Sequence, residues 1–168
     1  LEASSAASDV YKRQTITAVV AGYVQPQVAY YLSSLQTVLK KAGANVEPMI
    51  TKSNGGIMTA ERGKTDCAQI LLSGTASGVM GASSIAMQTK VPMAMSLDIG
   101  GTSADVSIIN SGEPQFGTGE LIGEFPIYIP SVSVSSIGEG GGSIAWIDEQ
   151  GVLKVGPESA GSLSLIHI

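Results

Sequence analysis

The sequence contains one cysteine and one histidine among 168 residues. Cys67 therefore has no partner for an internal disulfide, which favours a reducing, cytoplasmic setting. His167 is the second-to-last residue, so the sequence gives little support to a Cys/His or Ser/His/Asp nucleophilic centre or to a histidine-rich zinc site. We interpret Cys67 as a small packed residue.

Charged residues and long apolar runs are also scarce. Charged residues make up 14% of the chain, and the formal net charge is -5. Basic residues form no cluster beyond Lys12–Arg13 and Lys40–Lys41, which removes the electrostatic basis for binding nucleic acid or an anionic membrane. No apolar run reaches the about 20 residues of a transmembrane helix. Small molecules and protein partners remain as ligands.

Small and apolar residues are abundant. Hydrophobic residues make up 43% of the chain and there are 21 glycines, whereas aromatic residues make up 5%. This composition is typical of a loop-rich sheet protein rather than a helical bundle, and the length suits one domain with a core. We expect residues 1–14 to be non-native or disordered and residues 162–168 to be a non-native tail, on either side of a domain over 15–161.

Periodicity predicts both helices and strands. Thr15–Tyr23 is a short β-rich run, and Pro26 suits the first turn of an amphipathic helix that ends near Gly43. The turn Lys52–Ile57 follows a strand, where open α/β sheets place ligands. Further elements are expected in this order: a strand over Asn45–Thr51, a helical turn over Thr59–Gly63, a small-residue helix from Ser73 to about Thr89, a strand over Ile127–Ser133, and a hairpin of Ile144–Ile147 with Val152–Val155 closed by Gly156–Pro157. The start of the small-residue helix is a candidate anion site, with close helix packing as an equal alternative.

The most informative stretch is a predicted hairpin of Met93–Ile99 with Ala104–Ile109. Its turn contains Gly100 and Gly101, which supply the conformational freedom of a tight reversal. The turn and its flanks also contain hydroxyl and carboxylate side chains: Asp98, Thr102, Ser103 and Asp105. Glycine N–H groups and hydroxyls suit phosphate oxygens, and carboxylates suit magnesium. The alternative is an ordinary hairpin with a polar turn.

A second glycine cluster spans Gly138–Ser143, between two apolar strands. Four glycines in six positions cost conformational entropy, so we expect a ligand or another backbone segment to approach closely. We assign Gly140, Gly141 and Gly142 to cofactor binding. Glu139 is either a solvent-facing charge or a carboxylate of the site.

Five blocks of sequence, in this order, resemble the hydantoinase A and 5-oxoprolinase family: Ser53-Asn-Gly-Gly56, Ser73-Gly-Thr-Ala-Ser-Gly78, Asp98-Ile-Gly-Gly-Thr-Ser-Ala-Asp-Val106, Gly140-Gly-Gly-Ser-Ile-Ala145 and Val155-Gly-Pro-Glu-Ser-Ala-Gly161. The resemblance covers roughly 15–161, which in that family is an internal part of a longer subunit. It implies an α/β, ribonuclease H-like partial domain, with a mixed sheet and flanking helices, as in the actin, Hsp70 and sugar-kinase superfamily.

The resemblance also implies ATP and Mg²⁺ as cofactors. It implies that Gly100, Gly101, Thr102 and Ser103 contact phosphate. It also implies that Asp98 and Asp105 are catalytic carboxylates near the metal, and that Asp98 holds the metal through water. The first loop of the superfamily's pair would precede residue 1. The chain is therefore expected to hold half of an ATP cleft and to be inactive alone.

The implied activity is ATP-dependent opening of a cyclic amide such as hydantoin or 5-oxoproline, with a hydantoinase B-like subunit or domain as partner. The alternatives are an acetone-carboxylase-type subunit, a sugar or acyl kinase, which the other blocks disfavour, and a noncatalytic nucleotide-binding module. Two departures from the family pattern bear on this choice. The stretch after Ser73 lacks the usual Pro and paired glycines, and Ser133 and Ser135 stand where the family often has an acid and a histidine.

Overall fold

The computed structural model describes residues 2–118, 121–122 and 124–161. Its helices are α1 (Glu2–Lys41), α2 (Ala60–Gly63) and α3 (Ser73–Thr89), with a 3-10 helix at Cys67–Ile70. Its strands are β1 (Met49–Thr51), β2 (Ile57–Thr59), β3 (Met93–Ile99), β4 (Ala104–Asn110), β5 (Glu113–Pro114), β6 (Phe116–Thr118), β7 (Leu121–Ile122), β8 (Phe125–Pro126), β9 (Pro130–Val132), β10 (Ser135–Ile137), β11 (Ser143–Ile147) and β12 (Leu153–Ser159). The predicted α/β class is confirmed. Among the described residues, no helix combines the length and apolar character that crossing a membrane demands.

The described chain forms two compact units. Unit 1 ends at Gly81 and resumes over Gln115–Ser133, and unit 2 covers Ala82–Pro114 and resumes at Val134. The domain predicted over 15–161 therefore contains parts of both.

Unit 1 packs α1 against α2, the 3-10 helix and β8. Leu32 of α1 is 1% exposed, and a Cβ built at Gly63 of α2 would lie 3.0 Å from its Cδ1 atom. Glycine at position 63 thus lets the two helices approach closely. Ser53 is also buried, and its hydroxyl donates to the Gln69 carbonyl at 2.8 Å, so its polar group is satisfied inside the core.

Unit 2 contains an antiparallel sheet in the order β10-β4-β3, with β5 also paired to β4. The register places Asp98 opposite Asp105 and Ser96 opposite Ser107. Ile109, on the same face of β4 as Ser107, is fully buried. The second hairpin of this unit, β11–β12, pairs Ala145 with Val155.

Several predictions about α1 were wrong at its N-terminal side. The run Thr15–Tyr23 was expected to be a strand, and Pro26 was expected to open the helix, but α1 is continuous from Glu2 through both. Within this run, Thr15 and Thr17 donate to carbonyls four residues earlier, at 2.9 and 2.8 Å, which satisfies their hydroxyls inside the helix. The helix also includes residues 2–14, whose origin stays a prediction.

The expected mixed sheet was also wrong for the described residues, because every strand pair among them is antiparallel. Parallel pairing needs a crossover of a dozen or more residues, whereas β3, β4 and β5 follow one another through short turns. In addition, β12 continues through Gly156–Pro157 to Ser159 rather than ending there. Residues 162–168 lie outside the described residues.

Candidate functional site

The turn between β3 and β4 is closed by only one of the two hydrogen bonds that its ends could exchange. The Gly100 N–H donates to the Ser103 carbonyl at 2.8 Å. The reciprocal bond, from the Ser103 N–H to the Gly100 carbonyl, is not made among the described residues, and the Gly100 carbonyl accepts from the Gly141 N–H at 2.9 Å. Within the described chain, the N–H groups of Gly101, Thr102 and Ser103 donate to no other residue. Successive free N–H groups in a turn are an anion-binding arrangement.

Two carboxylates stand beside this turn. Asp98 and Asp105 are directly opposite each other on β3 and β4, so their side chains point to the same face of the sheet. Asp98 is exposed and Asp105 is half-buried, and the Asp105 Oδ1 atom accepts a hydrogen bond from the Ser136 hydroxyl at 2.6 Å. Two neighbouring carboxylates repel each other, and a divalent cation between them would relieve that repulsion.

The acidic pair is a minimal set of protein ligands. The described residues contain no group of three or more His, Cys, Asp or Glu side chains that could hold a metal ion. Magnesium commonly uses one or two carboxylates and completes its shell with water and substrate phosphates. Asp98 and Asp105, beside a turn with N–H donors that are free within the described chain, fit this mode of magnesium binding.

The glycine cluster Gly138–Ser143 packs backbone against backbone on the same turn. The Gly141 and Gly142 N–H groups donate to the Gly100 and Gly101 carbonyls at 2.9 and 2.8 Å. The Gly140 N–H donates to the Ser143 hydroxyl at 2.9 Å. Of the two expected occupants, the structure therefore brings another backbone segment to these glycines. Their assignment to cofactor binding stays a prediction.

The other candidate sites have a different geometry. The turn Lys52–Ile57 closes the β1–β2 hairpin with its own hydrogen bonds, including the Gly56 N–H to the Asn54 side-chain oxygen at 3.0 Å. Ser73 begins α3 as predicted. Ser133 lies in unit 1 and Ser135 begins β10 in unit 2, so the two positions belong to different units.

Cys67 is 1% exposed, and its thiol donates to the Ala21 carbonyl at 3.4 Å. Burial raises the pKa of this thiol above its ordinary value, which disfavours the nucleophilic thiolate. The interpretation of Cys67 as a packed residue is confirmed.

Ser136 was missed by sequence reasoning. It lies one residue beyond Ser135, and its partnership with Asp105 depends on the pairing of β10 with β4. The pattern of a polar residue in a short strand before a glycine cluster is the only local signal, and it does not specify the partner strand.

Fold and site together define an α/β segment in which the glycine turn Gly100–Ser103 lies beside the facing carboxylates Asp98 and Asp105. Comparison with known proteins gives the family: the hydantoinase/oxoprolinase family model matches residues 14–166. The chain therefore belongs to the hydantoinase/oxoprolinase family, as the sequence blocks predicted.

Individual relatives agree with this assignment. The alpha subunit of caprolactamase from Pseudomonas jessenii is 30% identical over 89% of this chain and 21% of its own length. The 5-oxoprolinase of Saccharomyces cerevisiae is 31% identical over 86% of this chain and 11% of its own length. A nucleotide-free structure of acetone carboxylase, from work on ATP-dependent acetone carboxylation, superposes with a TM-score of 0.67 at 29% identity, covering 78% of this chain and 18% of that one. The chain thus spans about a fifth or less of the length of these relatives.

Proposed function

We propose that this chain is the phosphate-binding part of a subunit that opens cyclic amides at the expense of ATP. The observation that carries the proposal is the turn at Gly100–Ser103, where three consecutive N–H groups, beside Asp98 and Asp105, have no acceptor in the part of the chain that the structure describes. In this proposal the N–H groups and the Thr102 and Ser103 hydroxyls bind phosphate oxygens. The carboxylates hold Mg²⁺, Asp98 through water.

The chemistry of the reaction explains why such a turn is needed. When bound beside the Gly100–Ser103 turn, ATP would supply the phosphoryl group that activates the amide oxygen, so that water could open the ring at the C–N bond with ADP and inorganic phosphate as the other products. The residues of this chain contribute position and charge: donors from the Gly100–Ser103 turn orient the phosphates, and the acidic pair places the cation that offsets their charge. The ribonuclease H-like, actin-type architecture, the hydantoinase B-like partner and the cytoplasmic setting belong to the same proposal.

Ketone carboxylation is the second candidate, and the similarity to the acetone carboxylase structure favours it. It would use the same turn, because an enol-type oxygen would accept the phosphoryl group in place of an amide oxygen. The Gly100–Ser103 turn itself does not discriminate between the two reactions. A noncatalytic nucleotide-binding module is the third candidate. It is suggested by Ser133 and Ser135, which stand where the family often has an acid and a histidine.

The proposal is tested by calorimetry of Mg-ATP binding to the complete subunit. Gly101→Val crowds the turn with a branched side chain, and Asp98→Ala removes a carboxylate. We expect each change to weaken binding by at least about tenfold, the loss of one charge-assisted contact. Glu149→Ala, which removes an exposed acid from the other hairpin of unit 2, is the matched control and should leave affinity unchanged. Unchanged affinity in both site variants would show that the hairpin is structural.

ADP release by the complete subunit with its partner then separates the candidates. Stimulation by hydantoin, 5-oxoproline or another lactam supports amide opening. Stimulation by a ketone with bicarbonate supports carboxylation instead. Nucleotide binding without turnover on either substrate class supports the noncatalytic module.

A further inference from the structure

A further backbone segment, the glycine cluster Gly138–Ser143, contacts the Gly100–Ser103 turn through the turn's carbonyls. In an antiparallel hairpin, hydrogen-bonded residues that face each other normally exchange two N–H to carbonyl bonds. Here the Gly100 carbonyl is engaged by the Gly141 N–H, and the Gly101 carbonyl is engaged by the Gly142 N–H. Among the described residues the Ser103 N–H has no acceptor. The glycine cluster therefore holds the turn by its carbonyls, on the opposite side of the peptide groups from the N–H donors of Gly101–Ser103.

Two of the clustered glycines are sterically required for this contact. A Cβ at Gly140 would lie 2.6 Å from the Gly100 carbonyl oxygen and 2.8 Å from the Ser103 nitrogen. A Cβ at Gly142 would lie 2.7 Å from the Gly101 carbonyl oxygen. These are backbone atoms, which cannot rotate away as a flexible side chain would. A Cβ at Gly142 would also strike the Gly161 carbonyl oxygen. A side chain at either position therefore forces the turn, the glycine cluster or, at Gly142, the Gly161 segment to shift.

The neighbouring glycines are not constrained in this way. A Cβ at Gly138 would meet nothing within 4 Å, and one at Gly141 would make only an ordinary contact at 3.7 Å with the Gly100 carbonyl oxygen. The cluster thus contains its own internal controls. Alanine adds the same methyl group at every position, but only at Gly140 and Gly142 would that group clash with backbone atoms of the turn.

We propose that Gly140 and Gly142 are positioning residues, which hold the phosphate turn open through its carbonyls and do not themselves contact the nucleotide. The inference rests on the proposed function. It follows that the Gly141 and Gly142 N–H groups are already hydrogen-bonded before nucleotide arrives. The phosphate donors are the N–H groups of Gly101, Thr102 and Ser103.

The test compares Gly140→Ala with Gly138→Ala and Gly101→Val in the complete subunit. Calorimetry measures Mg-ATP affinity, and competition measures the affinity of adenosine, which has no phosphate to meet the turn. We expect Gly140→Ala to weaken Mg-ATP by about tenfold or more while adenosine stays within about twofold, and Gly138→Ala to change neither.

Each other outcome has a defined meaning. If Gly140→Ala behaves like Gly138→Ala while Gly101→Val abolishes binding, the positioning role is overturned and the proposed function stands. An equal loss of Mg-ATP and adenosine in Gly140→Ala would also overturn it, because general damage to the fold does not single out phosphate. If Gly101→Val leaves Mg-ATP affinity unchanged, the proposed function itself fails.

Hydrogen exchange of the unaltered subunit gives an answer even if Gly140→Ala does not fold. Peptides containing Gly141 and Gly142 should be protected before nucleotide is added and should change little afterwards. Peptides containing Gly101–Ser103 should gain protection only with Mg-ATP. The reverse pattern would identify the glycine cluster as a direct phosphate ligand and overturn the positioning role.

Discussion

Replacing Asp98 with asparagine should stabilise the hairpin and at the same time weaken the Mg-ATP binding proposed for it. Asp98 faces Asp105 across β3 and β4, where opposed side chains have Cβ atoms about 4.5–5.5 Å apart. Two unit charges about 6 Å apart repel by about 0.7 kcal/mol at the dielectric constant of water, and the exposure of Asp98 justifies using that solvated limit. Asp98→Asn removes this repulsion and keeps the shape of the side chain.

The effect is measured as local stability by hydrogen exchange in peptides covering residues 93–110 of the complete subunit, in low salt with EDTA. A gain of about 0.7 kcal/mol slows exchange about threefold. At about 1 M salt the Debye length is about 3 Å, so most of that gain should disappear. Glu149→Gln, the same chemical change on an exposed acid without a facing carboxylate, should have no effect.

The second half of the prediction has the opposite sign. Mg-ATP affinity of Asp98→Asn should fall at least about tenfold, although its hairpin is more stable. Unchanged or faster exchange at low salt would refute the electrostatic reasoning. Slower exchange combined with full Mg-ATP affinity would place the acidic pair outside the nucleotide site.

Two further predictions concern residues around the site and in the core. Ser136→Ala removes the hydroxyl that donates to Asp105 at 2.6 Å and should raise the Mg²⁺ concentration for half-maximal ATP binding about tenfold. Ser135→Ala, on the same strand, should leave that concentration unchanged. Equal shifts in the two variants would contradict a role of Ser136 in positioning Asp105. Leu32→Ala truncates a side chain that is 1% exposed and should lower the free energy of unfolding by about 2–5 kcal/mol. The control Val38→Ala changes a side chain that is 62% exposed and should lower it by less than about 0.5 kcal/mol. Urea denaturation measures both values.

Much of the local structure was predictable because short-range chemistry determines it. The glycine pair within Met93–Ile109 predicted the β3–β4 hairpin, and α3 begins and ends as expected. The helix end near Gly43 was also correct, because Gly43 takes a φ of +84°, which glycine adopts without penalty. These features depend on a few neighbouring residues.

Predictions failed where distant parts of the chain override local preference. The β-branched residues of Thr15–Tyr23 favour a strand, but they continue a helix that packs against α2 and the 3-10 helix. The sequence also could not pair Ser136 with Asp105, since that contact requires the β10–β4 register. A shift by one residue would turn Ser136 to the other face of the sheet.

The glycine cluster illustrates why residue type alone gives an incomplete account of a site. A run of glycines is compatible with an approaching ligand or an approaching backbone, and the sequence does not separate the two. The distances show that backbone approaches the cluster, because a Cβ would strike backbone at Gly140 and Gly142 but would lie free at Gly138. The steric requirement thus falls on alternate positions, 140 and 142, whose backbones contact the Gly100–Ser103 turn. Loss of phosphate affinity should follow the same alternation when each glycine of the cluster is replaced by alanine.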